Sequence, residues 1–82
     1  MNEWMSLRAD ALAAEAGVPR DLLELSPADV ERILDLAGYA AHDSGARTNA
    51  PLLCYLVGLS RGGGATAAKG LEELDEIVRS TS

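Results

Sequence analysis

The stretch Leu52-Leu53-Cys54-Tyr55-Leu56-Val57-Gly58-Leu59 limits what this chain can fold into more than any other feature. Asn49, Ala50 and Pro51 in front of it read as a helix start, since proline is tolerated in a first turn, where its missing N–H had no partner to lose. The helix they open has almost no polar face, and a segment that is apolar on all sides must be covered on all sides. Two arrangements meet that demand: the helix is the central element of a bundle, or another protein chain covers one of its faces. The first is the expectation, with the residues from Leu52 to Leu59 shielded from water all round. Under the second, Leu53, Tyr55 and Val57 form the interaction surface.

The remaining pattern is helical as well. Asn2 can cap a first helix with Glu3 at the positive end of its dipole, and Trp4, Leu7, Ala11 and Leu12 recur at helical spacing on one face. Gly17 stops that helix, and Pro19 cannot continue it. Arg20-Asp21-Leu22-Leu23 reads as a single turn whose leucines anchor the link. Ser26-Pro27-Ala28-Asp29 is the clearest start signal in the chain, a hydroxyl cap followed by a proline and a carboxylate. The helix it opens places Val30, Ile33, Leu34, Ala37 and Ala41 on one stripe and Asp29, Glu31, Arg32 and Asp35 on the other side, up to Gly45. A last helix is expected from about Ala65, with Leu71, Leu74, Ile77 and Val78 inward, the acids outward, and Gly70 weakening its first turns. The fold class is therefore all-α: a compact four-helix bundle with one short extra helical turn, a single helical domain over residues 1–82.

An 82-residue chain has room for one hydrophobic core, and its single cysteine excludes an internal disulfide. Cys54 reads as a small buried hydrophobe, because no basic neighbour is evident to lower its pKa. The cytoplasm is the expected compartment. No apolar run approaches the roughly 18 residues of a membrane span, and the N-terminus lacks the layout of a signal peptide. Thirteen acidic against seven basic side chains give a formal net charge of -6, the wrong sign for neutralising phosphates, so no nucleic-acid partner and no membrane are expected. The acids crowd into Asp21 to Asp35 and into Glu72, Glu73, Asp75 and Glu76, where they read as solvated surface. Between Leu36 and Leu71 the only carboxylate is Asp43, set among His42, Arg47, Arg61 and Lys69.

The turn before the third helix gathers the residues best suited to chemistry. A helix start with free amides beside an arginine can hold an anion, with Arg47 forking onto a carboxylate or phosphate and Thr48 and Asn49 adding hydrogen bonds. His42, Arg47, Thr48 and Asn49 are thus the candidate ligand-binding residues. The commoner role for such residues is structural: Thr48 or Asn49 caps the helix, and His42 and Arg47 bond nearby carbonyls. His42 has no second histidine or nearby cysteine with which to bind zinc, and neither a metal site nor a cofactor is expected. The run Arg61 to Lys69 suggests a phosphate loop only superficially, because Lys69 follows Ala68 and precedes Gly70, which breaks the required spacing. Trp4 and Tyr55 read first as core and second as a binding surface. No nucleophile with a neighbouring base can be named, so no catalytic residue is assigned and the chain is not expected to be an enzyme.

Trp4 with its amphipathic helix, Leu34-Asp35-Leu36-Ala37 leading to Ala41 and His42, Arg47 ahead of Ala50-Pro51-Leu52, and Tyr55-Leu56-Val57-Gly58-Leu59 together resemble a known family. It is a small helical domain of unknown function from high-GC Gram-positive (actinobacterial) bacteria. That domain occurs alone or on the C-terminal side of nucleotidyltransferases resembling molybdopterin-guanine dinucleotide biosynthesis proteins. The resemblance runs from about Trp4 to Gly62. It implies an accessory to an enzyme that joins a nucleotide to the molybdenum cofactor, not the transferase itself, whose glycine-rich nucleotide-binding loop is missing here. A functional spot shared with the family would fall on His42, Arg47, Ala50 and Pro51. The expected function is a non-catalytic accessory or protein-interaction domain in molybdenum-cofactor biosynthesis, with a nucleotidyltransferase of that pathway as partner and a homodimer as a further expectation. The alternative is a sensor or carrier for a small anionic ligand, a pterin phosphate or a nucleotide.

Overall fold

Helix α1, Glu3–Ala16, begins where Asn2 accepts a hydrogen bond from the Met5 amide at 2.9 Å. It ends at Gly17, whose φ of 69° lets the amides of Gly17 and Val18 both fold back onto the Ala13 carbonyl. The computed structural model describes residues 1–63 and 70–80. The further elements among them are a 3-10 turn at Arg20–Leu23, α2 at Pro27–Ser44, α3 at Asn49–Gly63 and α4 at Leu71–Ser80, with no strand. The all-α class, the four helices and the short extra turn are as the sequence predicts. The expected helical start at Ala65 lies outside the described residues.

Helix α2 opens on a reciprocal cap. The Asp29 amide donates to the Ser26 hydroxyl at 3.0 Å while the Ser26 amide donates to the Asp29 carboxylate at 3.1 Å, so two donors that a helix start would leave idle are satisfied together. Its far end closes at Gly45, φ 73°, with the Gly45 amide on the Ala41 carbonyl. Gly70 precedes α4 instead of interrupting it. Its carbonyl accepts from the Leu74 amide, and its own amide donates to the Glu73 carboxylate at 3.3 Å, making it the cap of that helix.

The chain divides into two compact units, Met1–Val30 and Glu31–Ser82. In the first, the 3-10 turn is tied to α1 by Arg20, whose Nε donates to Asp10 at 2.6 Å and whose Nη1 donates to Glu24 at 3.0 Å. The hydrogen bond to Asp10 is the main reason that the Arg20 guanidinium holds its proton more firmly than usual. The buried face of α1 carries Ala9 and Ala13, whereas Trp4, Leu7 and Leu12 are more than half exposed. The stripe expected to pack is thus the outer one. The side chains that α1 buries are small ones, and Trp4 and Leu7 lie on the far side of the helix from them. Trp4 is held in solvent by Arg8, whose guanidinium lies 4.0 Å from the ring centroid. Leu22, expected as an anchor, is also exposed, and Leu23 of the same turn is half-buried.

The second unit contains the larger core: Leu36 from α2, Val57 from α3, and Leu71 and Leu74 from α4, with Ile33, Tyr39, Leu53 and Val78 packed around them. Leu36 is the one large side chain among the described residues that is fully enclosed. On α2 the inward stripe is therefore Ile33, Leu36 and Ala40, a rotation away from the predicted one that leaves Leu34 exposed. On α4, Leu71, Leu74 and Val78 pack as expected and Ile77 does not.

Not all of the acidic cluster is solvated. Asp75 is buried among the core residues of α4 and accepts from Arg32 of α2 at 3.1 Å and from Arg79 at 2.7 Å. Arg79 also donates to Asp35 at 2.8 Å and covers the Tyr39 ring at 4.7 Å. The hydrogen bond to Asp75, ahead of the charge of Asp75 and Asp35, raises the Arg79 pKa. This four-membered chain of alternating charge joins α2 to α4 along the edge of the core.

Candidate functional site

The turn between α2 and α3 is built largely by its own backbone. The Ser44 hydroxyl donates to the Ala40 carbonyl at 2.6 Å and accepts from the Ala46 amide at 3.2 Å, which closes α2 and starts the turn. The Asn49 amide then donates to the Ala46 carbonyl and the Ala50 amide to that of Arg47, at 3.0 and 3.1 Å. Pro51, next in line, has no N–H to give. At the first turn of α3 the Asn49 and Ala50 amides are thus already used, and Pro51 has none to offer an anion. What the turn still presents is side chains: His42, Arg47 and Thr48 are exposed and Asn49 is half-buried. His42 stands in the last turn of α2. Ala50 is half-buried and Pro51 exposed.

Helix α3 departs most from expectation. Its inner face carries Leu53 and Val57 against the core of the second unit, with Cys54 half-buried beside them. Burial pushes the Cys54 thiol above its ordinary pKa. Its outer face carries Leu52, Tyr55, Leu56 and Leu59, which are 61, 67, 59 and 52% exposed. The expectation that water is excluded from this segment on every side is overturned. The core of the second unit meets the helix along one line only, and at about 100° per residue the four outer positions fall on a separate line, spaced i, i+3, i+4 and i+7. Tyr55, like Trp4, belongs to the surface and not to the core. Of the three side chains assigned to a docking surface, only Tyr55 faces outward. Val57 is buried and Leu53 packs against the core, so the outward set is Tyr55 with Leu52, Leu56 and Leu59. Periodicity carried that signal: in a helix apolar all round, two interleaved i, i+3, i+4 stripes can be written down, and only one of them can face a small core.

Among the described residues no group of three or more His, Cys, Asp or Glu side chains is placed to hold a metal ion. No helix among them is long and apolar enough to cross a membrane. Lys69, the residue that prompted comparison with a phosphate loop, lies outside the described residues. No curated protein and no solved structure matches the chain. The model of one family matches residues 1–82, the whole of the sequence, and its description is "Domain of unknown function (DUF6457)". The chain belongs to the DUF6457 family of domains of unknown function.

Proposed function

We propose that this chain is a non-catalytic accessory domain that works by protein–protein contact, with the outer face of α3 as the surface through which it assembles. The observation that carries the reading is the bare stripe Leu52, Tyr55, Leu56 and Leu59 on a helix whose other face is already packed. Contiguous exposed apolar side chains on a small domain mark an interaction site, and an aromatic residue among leucines is the usual anchor of such a patch. The pathway in this proposal is molybdenum-cofactor biosynthesis in the cytoplasm of a high-GC Gram-positive bacterium, with a molybdopterin-guanine dinucleotide nucleotidyltransferase as the enzyme served. Its support is the likeness of Trp4, Leu34 to His42, Arg47 and Ala50 to Leu59 to the small domain found beside such enzymes.

Titration calorimetry of the full chain against the purified nucleotidyltransferase of its own host tests both parts. Binding that Leu56→Glu weakens at least tenfold supports the enzyme and the surface together. Binding that the substitution leaves intact moves the contact off α3, and no heat of binding removes the pathway. The second reading, a sensor or carrier for an anionic ligand, rests on the exposed side chains of His42, Arg47 and Thr48 around one short turn. It comes second because the amides of Asn49 and Ala50 are already bonded.

A further inference from the structure

We infer that the occupant of the α3 stripe is a second copy of this chain, packed antiparallel so that α3 meets α3 across a twofold axis between Tyr55 and Leu56. The inference rests on the interaction role proposed above: α3 joins two copies, and the dimer so formed is what serves the enzyme. Charge on the remaining helices disfavours them as the meeting face. Each copy carries a net charge of -6, and α1, α2 and α4 all present carboxylates: Glu3, Asp10 and Glu15, then Asp29, Glu31, Asp35 and Asp43, then Glu72, Glu73 and Glu76. Helix α3 alone has none. Two acidic copies can meet there without setting carboxylate against carboxylate, and like charges brought together at an interface weigh heavily against association.

The stripe is also complementary to itself. A twofold contact must use the same patch on both partners. Leu52, Tyr55, Leu56 and Leu59 lie symmetrically about the point between Tyr55 and Leu56, so reversing the helix lays Leu52 of one copy beside Leu59 of the other. Antiparallel packing also sets the two helix dipoles head to tail.

At their observed exposures the four residues offer roughly 360–600 Å² per copy, taking about 150–250 Å² as the burial of one large side chain. A standard interface needs about 800 Å² per partner. The stripe is therefore the apolar centre of a modest interface whose rim is polar, which predicts a dimer that depends on concentration.

Sedimentation equilibrium of the full chain from micromolar to millimolar concentration is the test. The expected result is a monomer–dimer equilibrium in which Leu56→Glu, counted twice across the axis, raises the dissociation constant by about 100-fold or more. Leu34→Glu, an equally exposed leucine on α2, leaves it unchanged. Circular dichroism confirms that both variants keep their helix content. In a Cys54→Ala background, Leu56→Cys then forms a disulfide between copies on mild oxidation, and Leu34→Cys does not. A chain that stays monomeric throughout the range overturns the inference, as does a dimer indifferent to Leu56→Glu. If the monomer still binds the nucleotidyltransferase in a manner sensitive to Leu56→Glu, the interaction role stands and only the homotypic contact falls.

Discussion

Asp75 shows how a single residue can mislead a reading by pattern and then decide a local energy. It sits within an acidic run, Glu72, Glu73, Asp75 and Glu76, whose neighbours point to solvent. Its own position falls between Leu71, Leu74 and Val78 on the inward side of α4, and its first partner, Arg32, is 43 residues away in sequence. Nothing local announces such a pair. Once buried, the carboxylate is costly to disturb, because both arginines lose their acceptor and the site keeps a desolvated polar group. Asp75→Asn is expected to lower stability by about 1–3 kcal/mol in urea unfolding, whereas Asp35→Asn, whose side chain is 73% exposed, costs less than about 1 kcal/mol. Equal losses at the two positions would show that the buried link is not the one that matters. Cys54 offers a second check at this scale. Its folded-state pKa is raised by burial, so the thiol binds its proton more tightly folded than unfolded. The stabilisation this represents is present in full below the unfolded thiol's pKa and is lost as pH rises through the folded one. Alkylation of Cys54 by iodoacetamide at mildly alkaline pH should be slower in the native chain than in urea, and should accelerate only above the usual thiol range. Equal rates in the two states would place the thiol in open solvent.

At the scale of the element, the chain declares where its helices begin and end far better than which way they face. Asn2, Gly17, Ser26 with Pro27, Gly45 and Asn49 with Pro51 all mark boundaries as read from sequence, because caps and left-handed glycines act within a few residues of themselves. Facing is different. On α1 the large side chains form a tidy stripe, yet Ala9 and Ala13 go in and Trp4 and Leu7 stay out, and size alone does not say which stripe is buried. On α3 there is no polar face to read against, and Leu53 with Val57 or Tyr55 with Leu59 would have served equally as the inner stripe. The candidate ligand turn was legible as a cluster of polar residues, but not the use its backbone makes of the Asn49 and Ala50 amides. Gly70 fails for a further reason: a glycine before a helix and one inside it look alike until the first helical residue is known. Position within the element also sets the sign of two substitutions on α2. Gly38 lies inside the helix with open space where a Cβ would stand, so Gly38→Ala should stabilise the protein by about 0.5–1 kcal/mol. Gly45 closes the same helix at φ 73°, and Gly45→Ala should destabilise it by about 1 kcal/mol. Thermal unfolding of the two variants decides it; shifts of the same sign would mean that the helix does not end where its cap places it.

For the whole molecule the governing facts are a modest core and a net excess of negative charge. The described buried hydrophobic residues number seven, three of them alanines, while eleven large apolar side chains remain exposed. Such a chain gains by covering more of its apolar surface, and its charge governs how readily it does so. If the cover on α3 is a second copy, each association brings together two bodies of charge -6. At centre separations on the order of 20 Å in water, that repulsion amounts to several kcal/mol before screening. Raising the ionic strength from about 0.01 M to 0.15 M shortens the Debye length from about 30 Å to 8 Å, which should remove on the order of 2 kcal/mol of it. The dimer should therefore tighten with added salt, by roughly tenfold to a hundredfold, because the α3 contact has no ion pair of its own for salt to weaken. Lowering the pH toward the isoelectric point of about 4.5 should act in the same direction, by neutralising carboxylates that lie away from the contact. Sedimentation equilibrium at three salt concentrations measures the slope directly. A dimer that loosens as salt is added would have to be held by charge pairs, and the uncharged stripe of Leu52, Tyr55, Leu56 and Leu59 would then not be the surface that joins the copies.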